Sequence, residues 1–169
     1  MSYFKQAVND AMKMLAKNDA VFIGQSLRYD GAAIYDSMDG IPMDQRIEMP
    51  VAEDFQMGFC TGMSLAGKLP VCIYPRMDFL ILAINQIVNH LDKLPRYGWR
   101  PKVIIRTTVG QKTPLDAGPQ HTQNHTQALN LMLTNIAIHQ VRTADEVKTA
   151  YTLALLGDKS HIIVENPCL

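Results

Sequence analysis

The sequence predicts an α/β fold: a doubly wound, mainly parallel six-stranded sheet with helices on both faces. The six-stranded sheet is predicted from six short, continuous apolar runs, because strands buried on both faces lack alternating polar residues. Segments with apolar residues at helical spacing separate these runs, and strands that alternate with helices predict a parallel sheet. The chain has 169 residues, the length of one ordinary domain, so we expect a single domain over residues 1–169.

The first elements are a helix over residues 3–17 and a strand over residues 20–24. The helix follows from apolar residues at helical spacing, and the strand is a short, unbroken apolar run. A loop rich in Gly, Asp and Ser follows over residues 25–44, and loops of this length are usually functional. A second short strand over residues 46–49 ends at Pro50.

The middle of the chain is predicted to form two helices around one buried strand. The helix over residues 52–66 contains apolar residues at every fourth position, namely Phe55, Phe59 and Met63. An apolar run over residues 70–74 predicts the next strand, and helical spacing resumes over residues 79–93.

The last part of the chain completes the sheet. Its three apolar runs predict strands over residues 102–106, 136–141 and 160–164. Helices are predicted between them over residues 126–133 and 143–156. Thr143 with Glu146 three residues later is a capping-box pattern. The polar loop over residues 107–124 follows a strand, and open α/β sheets build their sites at such positions.

The composition excludes several classes of function. Sixteen basic and 16 acidic residues give a formal net charge of zero, so the chain has no electrostatic footprint for nucleic acid or for an acidic membrane. No apolar run approaches the roughly 18 residues of a membrane-spanning helix, and the amino terminus does not resemble a signal peptide. The cysteines Cys60, Cys72 and Cys168 are odd in number and lack metal-ligand spacing. Cys60 and Cys72 lie in apolar segments, which favours buried thiols there and a cytoplasmic location.

A few polar residues are candidates for chemistry. Glu53 lies in the first turn of its helix, where a carboxylate is either favourably placed near the helix dipole or functional. His121 and His125 are four residues apart but lack a third ligand, so we expect no metal site in this chain. We expect the remaining histidines to lie on helix or strand surfaces without a task; they are His90, His139 and His161.

The segment around Glu53 resembles the pyrimidine-binding domain of thiamine-diphosphate enzymes. The similarity is greatest to the beta subunits of the pyruvate and branched-chain 2-oxoacid dehydrogenases, and transketolases are more distant. In those beta subunits a P-I-x-E segment opens a Gly-rich helix that ends in A-G-x-x-P-I/V. The matching residues here are Pro50-Val51-Ala52-Glu53, Gly58, Gly62, Ala66-Gly67 and Pro70-Val71.

The resemblance extends in the same order over nearly the whole chain. Further matching segments are Tyr29-Asp30-Gly31-Ala32, Asp78-Phe79, Asn85-Gln86-Ile87, Gln120-His121-Thr122-Gln123 and Val164-Glu165-Asn166. Each motif alone is weak, but together they are specific. They imply the thiamine-diphosphate-binding fold and a role in cleaving or forming a bond next to a carbonyl.

The resemblance implies a role for each site residue. Glu53 matches the glutamate that bonds to the pyrimidine ring nitrogen and drives the amino group to its imino tautomer, which then takes the proton from the thiazolium carbon. Phe79 matches the aromatic residue that packs on the pyrimidine ring, and Val51 is expected to line the same apolar slot. His121 matches a catalytic histidine that faces the thiazolium and the substrate. Arg76, where the family has another residue, could meet a substrate carboxylate or phosphate, although an exposed surface arginine is the commoner case.

The resemblance also implies partners. The family binds the diphosphate and Mg²⁺ through a GDG segment followed by an asparagine, and neither this pattern nor the family's C-terminal domain has a counterpart here. We therefore expect a separate, alpha-like subunit to bind the diphosphate and its Mg²⁺, so that the two chains share thiamine diphosphate. In the family the helix bearing Gly58 and Gly62 lies between two pyrimidine domains, so we also expect self-association there.

Three functions remain open from the sequence. The first is the pyrimidine-binding subunit of a split 2-oxoacid dehydrogenase-like enzyme, acting on a small ketone or 2-oxoacid and inactive alone. The second is a transketolase-like ketol transfer subunit; transketolases usually have His directly after the glutamate, whereas Asp54 follows Glu53 here. The third is a non-catalytic binding or regulatory module, which would not need Glu53, Phe79 and His121 together.

Overall fold

The computed structural model describes residues 2–111 and 116–167 of the chain. Within these residues, six parallel strands form one sheet in the order β2-β1-β3-β4-β6-β5. The strands are β1 (Ala20–Gly24), β2 (Arg46–Glu48), β3 (Leu69–Tyr74), β4 (Ile104–Thr108), β5 (Ala137–Val141) and β6 (His161–Glu165). The predicted α/β fold is confirmed, and each strand begins and ends within two residues of its prediction.

Helices cover both faces of the sheet. They are α1 (Tyr3–Ala16), α2 (Ala33–Asp36), α3 (Glu53–Leu65), α4 (Met77–Leu80), α5 (Thr126–Met132) and α6 (Ala144–Leu156). On one face α1 packs against α6, over a core that includes Met12, Phe22 and Tyr151. On the other face α3, α4 and α5 pack over a core that includes Met57 and Ile105. None of the helices in the described residues is long and apolar enough to cross a membrane.

Two local predictions are confirmed. The Thr143 hydroxyl accepts a hydrogen bond from the Glu146 N–H at 3.3 Å, and the Glu146 carboxylate accepts one from the Thr143 N–H at 3.1 Å, so α6 begins with a capping box. Cys60 and Cys72 are free and buried, and a hydrogen bond with Cys72, together with burial, raises the pKa of the Cys60 thiol. Cys168 lies outside the described residues.

The helix predicted over residues 79–93 is wrong in its details. The segment begins earlier, with α4, and continues as a 3₁₀ turn (Ile81–Ala83) and a π-helix (Gln86–Leu91). The π-helix ends where the Asp92 N–H donates to the Ile87 carbonyl at 2.9 Å. The carboxylate of Asp92 accepts hydrogen bonds from the N–H groups of Thr134 and Asn135, so a distant loop fixes the position of this turn.

Two of the three apolar residues that predicted α3, Phe55 and Phe59, face outward, whereas Met63 packs against the core. Phe55 is 60% exposed, Phe59 is 38% exposed, and their rings stack with centroids 6.1 Å apart. The residues of α3 that are buried on the chain's own core include polar ones, among them Gln56, whose amide donates to the Ile73 carbonyl at 3.0 Å. The pattern identified the helix correctly but not the side that packs on the sheet.

The prediction that His139 and His161 lie on the surface is wrong for His161 and inexact for His139, which is half-buried. His161, the first residue of β6, is buried, and its Nδ1 lies 2.9 Å from Nε2 of His139 on β5. The two rings stack with centroids 5.1 Å apart. Neighbouring parallel strands bring the two residues together, which sequence spacing alone does not reveal. His90, in contrast, is exposed as predicted.

We expect this histidine pair to make stability depend on pH. Burial, with the charges of His139, Lys102 and Lys159, lowers the pKa of His161 to about 4, and burial lowers that of His139. Between the lowered pKa of His161 and the ordinary histidine pKa of about 6.5, the unfolded chain binds more protons than the folded chain. This contribution to stability is therefore fully present above pH 6.5 and is lost as the pH falls towards 4.

Urea unfolding of the wild type and of His161→Phe at several pH values measures this pH-dependent contribution. Equal pH dependence in both proteins would contradict the assignment, and His90→Gln is the control.

Candidate functional site

Glu53 begins α3 at the carboxyl edge of the sheet. The residue is buried, with 6% of its surface exposed. The amide of Gln25, directly after β1, donates to Glu53 Oε1 at 3.4 Å, and the Tyr74 hydroxyl donates to the Glu53 backbone carbonyl at 3.0 Å. Among the described residues the second carboxylate oxygen, Oε2, has no hydrogen-bond partner. One carboxylate oxygen can therefore bond to a group from outside the chain.

The loop after β1 is held in place by Glu48. Its carboxylate accepts hydrogen bonds from the N–H groups of Ser26, Leu27 and Arg28 at 2.6, 2.7 and 3.0 Å. Ser26 has φ = 61°, a left-handed conformation that turns these three N–H groups towards one acceptor. This arrangement fixes the turn that places Gln25 against Glu53. Sequence patterns alone assigned no role to Gln25 or to Glu48.

Phe79 and His121 line a cavity of about 460 Å³ beside this loop. Their rings meet edge to face, with centroids 5.4 Å apart and an interplanar angle of 89°. His121 belongs to the loop after β4, which passes against Gly110 so closely that a Cβ at this glycine would overlap the His121 carbonyl oxygen. The lack of a side chain at Gly110 thus allows the loop to bring His121 to Phe79.

Arg76 lies at the same cavity. Its Nη1 donates to the Pro75 carbonyl at 3.1 Å, and the residue is half-buried. Within residues 2–111 and 116–167, no carboxylate lies within 4.0 Å of its guanidinium. The charge of Arg76 is therefore available to an anion in the cavity.

A buried ion pair forms the floor of the cavity. Arg106 donates from Nε and Nη2 to the two carboxylate oxygens of Glu165, at 2.8 and 3.1 Å, and from Nη1 to the Ser37 hydroxyl at 2.7 Å. The Tyr151 hydroxyl donates to Glu165 at 2.9 Å. Burial disfavours the charge of Arg106, but the neighbouring Glu165 outweighs this and raises the pKa of the guanidinium. Sequence reasoning missed this group, although an arginine within the apolar strand 102–106 was a signal.

The structure brings some of the predicted site residues together and leaves others apart. Arg76, Phe79 and His121 share the cavity, whereas Glu53 lies outside it and is linked to it through Gln25 and its neighbour Ser26, which lines the cavity. Val51 is 79% exposed and does not line the cavity, so any slot that it forms needs a surface from another molecule. In the described part of the chain, no group of three or more His, Cys, Asp or Glu side chains is placed to hold a metal ion.

Comparisons with known proteins identify the family to which the chain belongs. Residues 3–167 match the family model described as the transketolase pyrimidine-binding domain. The beta subunit of the mitochondrial pyruvate dehydrogenase E1 component from Caenorhabditis elegans is 27% identical over an alignment of 175 positions, which covers 98% of this chain and 48% of that protein. Its Drosophila melanogaster counterpart is 35% identical over 96 residues, 53% of this chain and 26% of that protein.

A solved structure shows the same fold. It is a split-gene transketolase, described as an inactive beta4 tetramer, and it superimposes with a TM-score of 0.71 at 19% sequence identity. The superposition covers 96% of this chain and 50% of that chain. The present chain thus spans about half the length of the proteins that it matches over nearly its whole length.

Proposed function

The chain belongs to the transketolase pyrimidine-binding domain family, and from this premise we propose that it is the pyrimidine-binding subunit of a split thiamine-diphosphate enzyme. The proposed reaction is cleavage or formation of a bond next to a carbonyl, of the 2-oxoacid dehydrogenase beta-subunit type. The observation that carries the proposal is the buried carboxyl group of Glu53 at the carboxyl edge of the sheet, where one of its oxygens has no hydrogen-bond partner within residues 2–111 and 116–167. Asp54 directly after Glu53 supports this type over ketol transfer, because transketolases usually have His there.

Glu53 fits the pyrimidine half of the cofactor. When bound, thiamine diphosphate supplies a thiazolium carbon that adds to carbonyl groups after it loses its proton. Glu53 would hold a proton at the pyrimidine ring nitrogen with Oε2, while Gln25 restrains Oε1. A buried carboxyl group with one restrained oxygen is positioned for such proton exchange without rearrangement.

Phe79, Val51 and His121 complete the proposed site. Phe79 would pack on the pyrimidine ring, and an offset stack of this kind contributes about 1 kcal/mol beyond the buried area. The exposed side chain of Val51 would be covered when cofactor and partner bind. His121, fixed against Phe79, would face the substrate as a catalytic residue, and Arg76 would bind the substrate's anionic group.

A second chain is part of the proposal. We propose that an alpha-like subunit binds the diphosphate and Mg²⁺, because the family's GDG segment and following asparagine have no counterpart in this sequence. The two chains would share one cofactor, and this chain alone would be inactive. A cytoplasmic location is part of the same proposal and is supported by the free, buried thiols of Cys60 and Cys72.

Calorimetry tests whether the diphosphate is bound by a second subunit. With Mg²⁺ present, thiamine diphosphate should bind the isolated chain at least about 100-fold more weakly than it binds the chain together with its diphosphate-binding subunit, because charge-assisted bonds and the metal hold the diphosphate. The partner is sought among co-expressed chains that carry the GDG pattern. Tight, Mg²⁺-dependent binding to the isolated chain would contradict the proposal, since the diphosphate site would then lie in this chain.

We propose self-association through the outer face of α3 and the neighbouring 3₁₀ turn. This apolar surface comprises Phe55, Phe59 and Gly62 of α3 with Ile81 and Leu82 of the turn, all of which are exposed. In the described part of the chain, a Cβ at Gly62 would meet no atom within 4 Å, so packing among these residues does not require glycine at this position. A second copy whose helix approaches closely here would require it, as small residues permit such an approach.

Replacement of Gly62 by leucine should shift the protein towards monomer. The added side chain projects outward and blocks close approach, while it does not disturb the monomer and favours the helix. Sedimentation velocity measures the change in mass. Ala128→Leu, at an exposed position on α5, is the matched control and should leave the mass unchanged. An unchanged dimer in Gly62→Leu would place the interface elsewhere.

A further inference from the structure

We infer that Asp78 is a positioning residue for His121, because its carboxyl group holds the loop after β4 on α4. The inference rests on the proposed function for the task of His121, whereas the contacts that place His121 are independent of that function. Asp78 does not line the cavity, so it would act on the site through His121. Among the described residues three observations carry the inference: α4 contacts the loop at three places, no second hydrogen bond can replace that of Asp78, and one oxygen of Asp78 has no partner.

Three successive side chains of α4 contact alternate residues of the loop after β4. The pairs are Met77 with His125, Asp78 with Gln123, and Phe79 with His121. In the first two pairs the side chain accepts a hydrogen bond from a backbone N–H at 3.3 Å. In the third pair the two rings meet edge to face. The short helix α4 therefore sets the path of the segment that carries His121.

The hydrogen bond from Gln123 to Asp78 links the segment of residues 116–123 to the rest of the fold. In the described part of the chain, no other hydrogen bond joins this segment to another element. The remaining hydrogen bonds of the segment are local, such as the one that the His121 N–H donates to the Gly118 carbonyl at 3.1 Å. Loss of the Asp78 carboxyl group should therefore free the backbone two residues after His121, and the position of the imidazole with it.

The burial of Asp78 distinguishes a positioning role from a stabilising one. Asp78 is 7% exposed, and its Oδ2 is buried without a hydrogen-bond partner among the described residues. Burying an unpaired polar atom is unfavourable, and side chains that stabilise a core are apolar or have all their polar atoms bonded. Gln123, in contrast, is exposed, so water can bond to its N–H when the carboxyl group is removed. Removal of the carboxyl group should therefore release the loop without unfolding the chain.

The test measures backbone order in the isolated chain, without cofactor, by ¹⁵N relaxation. In the wild type we expect order parameters of about 0.85 for residues 121–123, the usual value of a rigid backbone. In Asp78→Ala these order parameters should fall below about 0.6, the range of flexible segments. The ring-current shift that Phe79 imposes on the ring protons of His121 should be lost at the same time. The midpoint of urea unfolding should change little, because the variant removes an unpaired buried oxygen.

Two further variants complete the test. Asp78→Asn keeps an oxygen that can accept the hydrogen bond from Gln123, so it should retain the order of the loop and the ring-current shift of His121. Asp44→Ala is the matched control and should also retain both, because Asp44 likewise lies in the first turn of a short helix but is exposed.

Three outcomes would overturn the inference. They are an ordered loop in Asp78→Ala, a large fall of its urea midpoint together with the loss of order, and a loop as disordered in Asp78→Asn as in Asp78→Ala. Because the chain is studied without cofactor, each of these outcomes would leave the proposed role of Glu53 standing. A failure of the proposed function would equally leave the measured position of His121 unchanged.

Discussion

Glu53→Gln is expected to slow hydrogen exchange at the thiazolium carbon of bound thiamine diphosphate by a factor on the order of 100 or more. Glutamine keeps the size of the side chain and its contact with Gln25, but it cannot exchange a proton with the pyrimidine ring nitrogen. Folding and cofactor affinity should change little. Deuterium incorporation into the cofactor, measured in the complex with the diphosphate-binding subunit, reports the rate.

Asp54→Asn is the matched control for this experiment. Asp54 is the exposed neighbour of Glu53 in the same first turn of α3, and its removal costs the same favourable interaction with the helix dipole. If Glu53 is only a helix-end charge, both variants should lose less than about 1 kcal/mol of stability and retain wild-type exchange. Wild-type exchange in Glu53→Gln would remove this residue from the mechanism and favour the non-catalytic module.

Arg106→Met should lower the free energy of unfolding by about 3–5 kcal/mol, because it leaves the buried Glu165 carboxylate without its cation. Urea unfolding measures the loss. Arg100→Met is the control: Arg100 and Asp158 are 3.7 Å apart and mostly exposed, and such pairs contribute less than about 1 kcal/mol. The double variant Arg106→Met with Glu165→Met should regain part of the loss, since no unpaired charge remains buried. A loss below 1 kcal/mol in Arg106→Met would show that the floor of the cavity does not depend on this ion pair.

Local sequence patterns were sufficient for the strands and for most helices. A buried parallel strand appears as an unbroken apolar run, so the runs at residues 20–24 and 70–74 predicted β1 and β3 almost to the residue. The capping box at Thr143 was equally readable, because both partners lie three residues apart. Where the position of an element depends on residues that are close in sequence, the sequence alone was sufficient to predict it.

Features that depend on distant contacts could not be predicted in this way. The π-helix at Gln86–Leu91 ends at Asp92, which is bonded to residues more than 40 positions later. The pairing of His139 with His161 requires knowledge that β5 and β6 are neighbours. The apolar spacing of Phe55 and Phe59 predicted a helix but could not tell an inward face from a face that awaits a partner.

The same distinction between local sequence signals and distant contacts applies to the candidate site. The resemblance to a family selected Glu53, Phe79 and His121, and the structure places Phe79 and His121 in contact. The residues that hold the site in shape were not found, because each acts across the sheet. Glu48 holds the loop after β1 in place, and Gly110 leaves room for the loop that contains His121. Arg106 pairs with Glu165 beneath the cavity.

The central claim, that Glu53 bonds to the pyrimidine ring nitrogen of thiamine diphosphate, has a direct thermodynamic test. Calorimetry on the complex with the diphosphate-binding subunit would compare thiamine diphosphate with an analogue in which CH replaces that ring nitrogen, in the wild type and in Glu53→Ala. A cycle of this kind isolates the interaction of one side chain with one cofactor atom. We predict that the analogue binds the wild type at least about tenfold more weakly than thiamine diphosphate does, and that the two bind Glu53→Ala equally well. An equal loss of affinity in both proteins would contradict the claim.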